Sequence, residues 1–72
     1  MKYYYRYGLI PRDSAKALSN ACKRHKVEFD VAGWEDGMSD CYMYGETKES
    51  IANAIRDAHL YYDSWKVEKV NE

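Results

Sequence analysis

Near the middle of this 72-residue chain, the dipeptide Asp36-Gly37 separates two stretches in which polar and apolar residues alternate. That combination is a strong signal for a tight turn between two antiparallel strands. Before it, Val27, Phe29 and Val31 alternate with Glu28, Asp30 and Ala32, the period of a half-buried strand. After it, the stretch Ser39 to Gly45 sends Cys41 and Met43 inward and leaves Tyr42 and Tyr44 outward. A hairpin therefore sits at the centre of the chain, and what flanks it decides the topology.

On the N-terminal side, Lys2 to Ile10 is aromatic and β-branched enough for a strand, and Pro11 closes it. Asp13 is placed to cap a helix from Ser14 to about His25, with Ala15, Leu18, Ala21, Cys22 and His25 on one face. Lys16, Lys23 and Arg24 fall mostly on the other, and with Lys26 they read as a solvated basic face. On the C-terminal side, Thr47 caps a second helix in which Ile51, Ile55, Ala58 and Tyr62 form an amphipathic stripe. Trp65 to Val70 alternates again and predicts a last strand, with Trp65 and Val67 as its inward pair. Tyr61, Tyr62 and Trp65 together are expected to pin the end of the second helix to the core, a second interaction spot being the alternative.

The resulting order, strand–helix–strand–strand–helix–strand, is the split βαβ pattern of the ferredoxin-like α+β fold: a four-stranded antiparallel sheet with two helices on one face. The other face is left open. Period two assigns to it Tyr4 and Arg6, Ala32 and Trp34, Tyr42 and Tyr44, and Lys66, Glu68 and Val70. A register slip of one residue would instead expose Tyr3, Tyr5 and Tyr7. With eight tyrosines in the chain, either register yields an aromatic sheet face. Tyr4, Arg6, Trp34, Asp36, Tyr42 and Tyr44 are the residues expected to touch a partner.

Composition bounds the function. Charged residues at 32% and hydrophobic ones at 46% describe a globular chain of one domain. No apolar run approaches the roughly 18 residues of a membrane span, and no secretory signal is visible, so the expected location is the cytoplasm. Cys22 and Cys41 are read as small buried hydrophobes; with His25 and His59 they fit no common zinc-finger spacing, and neither a metal nor a cofactor is expected. His25 has no nucleophile or carboxylate close in sequence, and no catalytic role is assigned to it or to His59. The net charge of −1 conceals an asymmetry: residues 1–26 carry seven bases against one acid, and residues 27–72 carry four bases against eleven acids. Such a chain can be steered onto a charged partner, unless its two parts interleave and neutralise one another.

Tyr4 on the first strand, with Tyr42 and Tyr44 on the third, resembles the RNA recognition motif, and that resemblance implies stacking of unpaired bases on the rings. The third strand begins Asp40-Cys41 where that family has a basic residue and a glycine, and Glu28, Asp30, Glu35 and Asp36 repel phosphate. Acylphosphatases resemble the topology, but they use a glycine-rich anion loop where this chain has Gly8-Leu9-Ile10-Pro11-Arg12; copper chaperones of similar topology need a Cys-x-x-Cys loop that is absent. In size and topology, though in no motif, the chain resembles small phage-encoded inhibitors, anti-CRISPR proteins among them. That resemblance implies a non-enzymatic inhibitor or adaptor that occupies a protein surface. Pairing of the open face with a second copy is the further alternative.

Overall fold

The computed structural model describes residues 2–70, with the side chain of Trp34 excepted. Strand β1 (Lys2–Pro11), helix α1 (Arg12–Arg24), strands β2 (Glu28–Glu35) and β3 (Met38–Gly45), helix α2 (Lys48–Asp57) and strand β4 (Glu68–Val70) follow one another in that order. The strands form one antiparallel sheet in the order β2-β3-β1-β4. This is the ferredoxin-like α+β fold. Among the described residues no helix is long and apolar enough to cross a membrane.

Both helices lie over the same sheet face. Ala15, Leu18, Ala21 and Cys22 of α1 join Ile51, Ala54 and Ile55 of α2 in one buried cluster with Tyr5, Ile10, Val27, Cys41 and Met43. The alternation read from β3 holds, since Cys41 and Met43 are buried and Tyr42 and Tyr44 lie on the other side. Tyr5 is only 1% exposed, which settles the register and removes the alternative in which Tyr3, Tyr5 and Tyr7 are the open row. A buried phenol needs a partner, and the Tyr5 hydroxyl accepts the Asp63 N–H at 3.1 Å.

The ends of the helices depart from the sequence reading in an orderly way. Asp13 does not cap α1; the helix starts at Arg12 after Pro11, with no side-chain cap, and Asp13 lies in its first turn, where a carboxylate favours the helix dipole. The Arg12 N–H donates instead to the Gly37 carbonyl of the hairpin turn at 3.1 Å, so the hairpin satisfies one of the helix's orphan donors. Thr47 caps α2 as expected, accepting from the Ser50 N–H at 3.1 Å. Both helices then stop in the same manner. Lys26 and His59 take left-handed conformations with φ of 58° and 61°, while Val27 N–H reaches the Cys22 carbonyl and Leu60 N–H the Ile55 carbonyl, the bonds of a Schellman motif. Because α2 ends at Asp57, Tyr62 is not the last residue of its stripe. Left-handed backbone costs about 1–2 kcal/mol for a residue with a side chain. The combined Lys26→Gly, His59→Gly variant is therefore expected to be more stable by about 1 kcal/mol after glycine's own entropy is set against that relief, read as a higher urea midpoint.

The last segment corrects two expectations. The Asp63 carboxylate accepts the Trp65 N–H at 3.0 Å and winds Ser64–Lys66 into a 3-10 turn, so β4 is only three residues long and Lys66 lies outside the sheet. Trp65 is consequently 93% exposed rather than inward, while Val67 does pack against the core. Of the three aromatic residues expected to pin α2, only Tyr62 does so. Its ring stacks on Tyr5 at 5.8 Å and takes the Arg56 guanidinium at 5.3 Å, whereas Tyr61 is 77% exposed.

Cys22 and Cys41 are free and buried, as read from the sequence. Burial pushes their thiols up from 9.0, to about 12 for Cys22 and about 11 for Cys41. The folded protein thus holds these protons more tightly than the unfolded chain does. Their stabilising contribution is complete below pH 9 and is lost as pH rises toward 11 or 12. Stability is expected to fall above pH 9 by up to about 1.4 kcal/mol per pH unit for each thiol, and less steeply in a Cys22→Ala variant, measured by urea unfolding at graded pH.

Candidate partner-binding face

Two strand irregularities determine which side chains share the open face. The hairpin is closed by Glu35 opposite Met38, with Asp36 and Gly37 at φ of 53° and 75°, the double-positive geometry of a type I′ turn. Continued without interruption, this register would set Asp30 opposite Met43, and every polar residue of β2 would share a face with the core residues of β3. A bulge between Ala32 and Glu35, with Gly33 at φ 46°, inserts one residue into β2 and moves the pairing by one. Asp30 then stands opposite Tyr42 and Glu28 opposite Tyr44, both on the open side. A second bulge between Tyr7 and Ile10 in β1 likewise lets both face the core, at the expense of Leu9, which is left 66% exposed.

The face that results carries three tyrosines in contact. Tyr4 lies opposite Tyr44 across the β1–β3 ladder. Its ring stands 5.1 Å from that of Tyr44, tilted by 38°, and 6.2 Å from that of Tyr42, nearly parallel at 14°. These separations are those of favourable aromatic pairs. Because each ring covers its neighbours, all three are half-buried rather than fully exposed. Partial burial, and then the neighbouring Tyr44 and Tyr42 hydroxyls, raise the Tyr4 phenol above its usual pKa of 10.0, so it stays a neutral donor and acceptor at physiological pH.

Charges surround the rings. The Arg6 guanidinium donates to the Asp40 carboxylate at 2.9 Å, and that bond, with the carboxylate's charge, raises the Arg6 pKa further. Lys2 reaches Glu28 at 3.0 Å across the strand that carries Tyr44. A third pair, Arg24 with Asp57 at 2.9 Å, links the two helices, and His25 Nε2 lies 3.2 Å from the same carboxylate oxygen. His25 therefore has a carboxylate neighbour that sequence proximity did not show, although Arg24 already holds the oxygen it approaches. Each pair joins a base from residues 1–26 to an acid from residues 27–72, so the two oppositely charged parts of the chain interleave.

Of the six residues expected to touch a partner, Tyr4, Arg6, Tyr42 and Tyr44 are brought together. Asp36 is not among them: it sits in the hairpin turn, and the strand from Met38 to Tyr42 alone measures roughly 13 Å. The Trp34 side chain lies outside the described residues, and its backbone falls within the bulge that breaks the simple alternation. Glu28 and Asp30 stand in the same alternating row as Ala32 and so fall beside the rings as that alternation implies, whereas Lys2 and Asp40 were not named for this face. The signal that could have found them is the same period of two, which sets Lys2 with Tyr4 and Asp40 with Tyr42.

Among the described residues no three His, Cys, Asp or Glu side chains are grouped so as to hold a metal ion. The arrangement defines a ferredoxin-like domain with a tyrosine cluster on its uncovered sheet face. Comparison with protein-family models, with curated proteins and with solved structures gave no match.

Proposed function

We propose that the chain is a small, non-enzymatic binding protein of the cytoplasm, an inhibitor or adaptor of the phage or mobile-element accessory kind, in the anti-CRISPR or anti-defence class. It acts by laying the Tyr4–Tyr42–Tyr44 face on a partner protein. One observation carries the reading. Four carboxylates (Glu28, Asp30, Asp40 and Glu68) share the face with the rings against two bases, Lys2 and Arg6, each already joined to one of those acids. Tyrosine supplies rigid amphipathic contact area, and an acidic rim selects partners with lysine and arginine at the contact, which the ring faces also attract. Basic protein surfaces that ordinarily bind nucleic acid meet that description.

The resemblance to the RNA recognition motif supports a second reading, single-strand binding, because three rings on the two central strands are a stacking platform. The carboxylates oppose it, since phosphate would approach a net negative face. Titration with a fluorescent single-stranded RNA across a salt series separates the two. The protein-binding reading expects no measurable affinity at physiological salt, and micromolar affinity that falls steeply as salt rises would overturn it.

A further inference from the structure

The sheet has two edges, and they differ. β4 is three residues long, whereas β2 runs for eight and, among the described residues, has one long side unpaired. Two hydrogen bonds show how the β2 backbone is turned. The Ala32 carbonyl accepts the Ser39 hydroxyl of β3 at 3.1 Å, so the even-numbered residues direct their peptide groups toward β3. Phe29 and Val31 then direct theirs to the free edge. There the Val31 N–H is held by the neighbouring Asp30 carboxylate at 2.9 Å, as is common where an edge must not pair at random.

The side chains of Phe29 and Val31 lie on the helix side and are half-buried. They floor a groove of about 310 Å³ whose other wall is Ala15 and Ser19 of α1, with Arg12 and Lys16 at its rim. An unpaired strand edge, an apolar floor and a basic rim thus lie side by side. We propose that this edge and groove receive an extended segment of a partner protein by strand addition, its side chains alternating between two chemistries. On the helix side it presents apolar residues over Phe29 and Val31 and an acid beside Lys16 and Arg12; on the open side it presents bases against Glu28 and Asp30. A partner base draws the Asp30 carboxylate away and frees the Val31 N–H for the added strand.

A second copy fits this edge poorly. Two-fold pairing of β2 with itself sets Asp30 opposite or diagonal to its own counterpart, and both Lys16 side chains rim the same groove, so like charges meet on both faces. The site adjoins the tyrosine cluster, sharing Glu28 and Asp30 with that face but none of its rings, so replacing Tyr42 and Tyr44 is expected to leave strand addition intact.

The test is titration of the 15N-labelled chain with a capped eight-residue peptide that alternates lysine with valine and carries glutamate in place of the last valine. Saturable shifts centred on the Phe29 and Val31 amides are expected. N-methylating one alternate set of peptide nitrogens should weaken binding at least about tenfold, since each direct backbone bond lost to a rigid edge counts separately, while methylating the other set leaves it unchanged. Replacing the glutamate by lysine should also weaken binding, although it raises the attraction between the peptide and an acidic surface. Equal binding of both methylated peptides, tighter binding of the all-lysine form, shifts centred on Tyr42 and Tyr44, or no saturation at millimolar peptide would each overturn the proposal. So would a dimer held through β2 in sedimentation without peptide.

Discussion

The Tyr42→Ala, Tyr44→Ala double variant is expected to lose at least about a hundredfold in affinity for its partner, since buried interface tyrosines are each commonly worth about 2 kcal/mol or more. The rings sit on a central strand, pack against Tyr4, and are bordered on both sides by charged residues, so they occupy the middle of the proposed contact rather than its rim. The variant should remain folded. Both side chains project away from the buried cluster, and the loss is confined to cross-strand pairs worth about 1 kcal/mol or less each. A circular dichroism spectrum and urea midpoint close to the parent's would establish this. The exposed pair Tyr61 and Trp65, changed together to alanine, is the matched control: it removes comparable aromatic area elsewhere and is expected to leave affinity unchanged.

Leu18→Ala is expected to cost about 2–5 kcal/mol, the range for deleting a fully buried leucine side chain and leaving a cavity. For a chain of this length total stability is about 4–11 kcal/mol, so the variant forfeits a large fraction of it. Leu18 is fully buried, in a core cluster whose helix residues include Ala15, Ala21, Cys22 and Ala54, small side chains with little length to fill the space. The midpoint in urea should fall with little change in slope, and the drop should exceed that of any substitution on the open face. A loss under about 1 kcal/mol would contradict the close helix–sheet approach that these small residues permit.

The topology was legible because its punctuation was local. Asp36-Gly37 forces a two-residue turn, Thr47 caps a helix, and the alternation of Cys41 and Met43 with Tyr42 and Tyr44 needs no knowledge of the rest of the chain. The tyrosine cluster followed from the same alternation, as did Arg6 beside it. What escaped depended on partners remote in sequence or on a single backbone conformation. Asp13 lost the capping role because the Gly37 carbonyl, brought from the hairpin, takes the Arg12 N–H. Tyr62 read as one more turn of α2 because its spacing fits, but the left-handed His59 ends the helix first. Trp65 read as a strand residue because it alternates with its neighbours, yet the short-range bond from its N–H to Asp63 outweighs an alternation only a few residues long. The acidic rim did not escape in this way: Glu28 and Asp30 follow from their alternation with Val27, Phe29 and Val31, and the bulge at Gly33 is what reconciles that alternation with the register set by the turn.

The claim that this face binds a protein is tested most directly by affinity capture from nuclease-treated bacterial lysate on three immobilised forms: the parent chain, the Tyr42→Ala, Tyr44→Ala variant and the Tyr61→Ala, Trp65→Ala control. A stoichiometric protein, resistant to nuclease, held by the parent and the control but absent from the tyrosine variant, is the predicted result. Equal recovery on all three forms, or loss of every bound component once nucleic acid is digested, would contradict it.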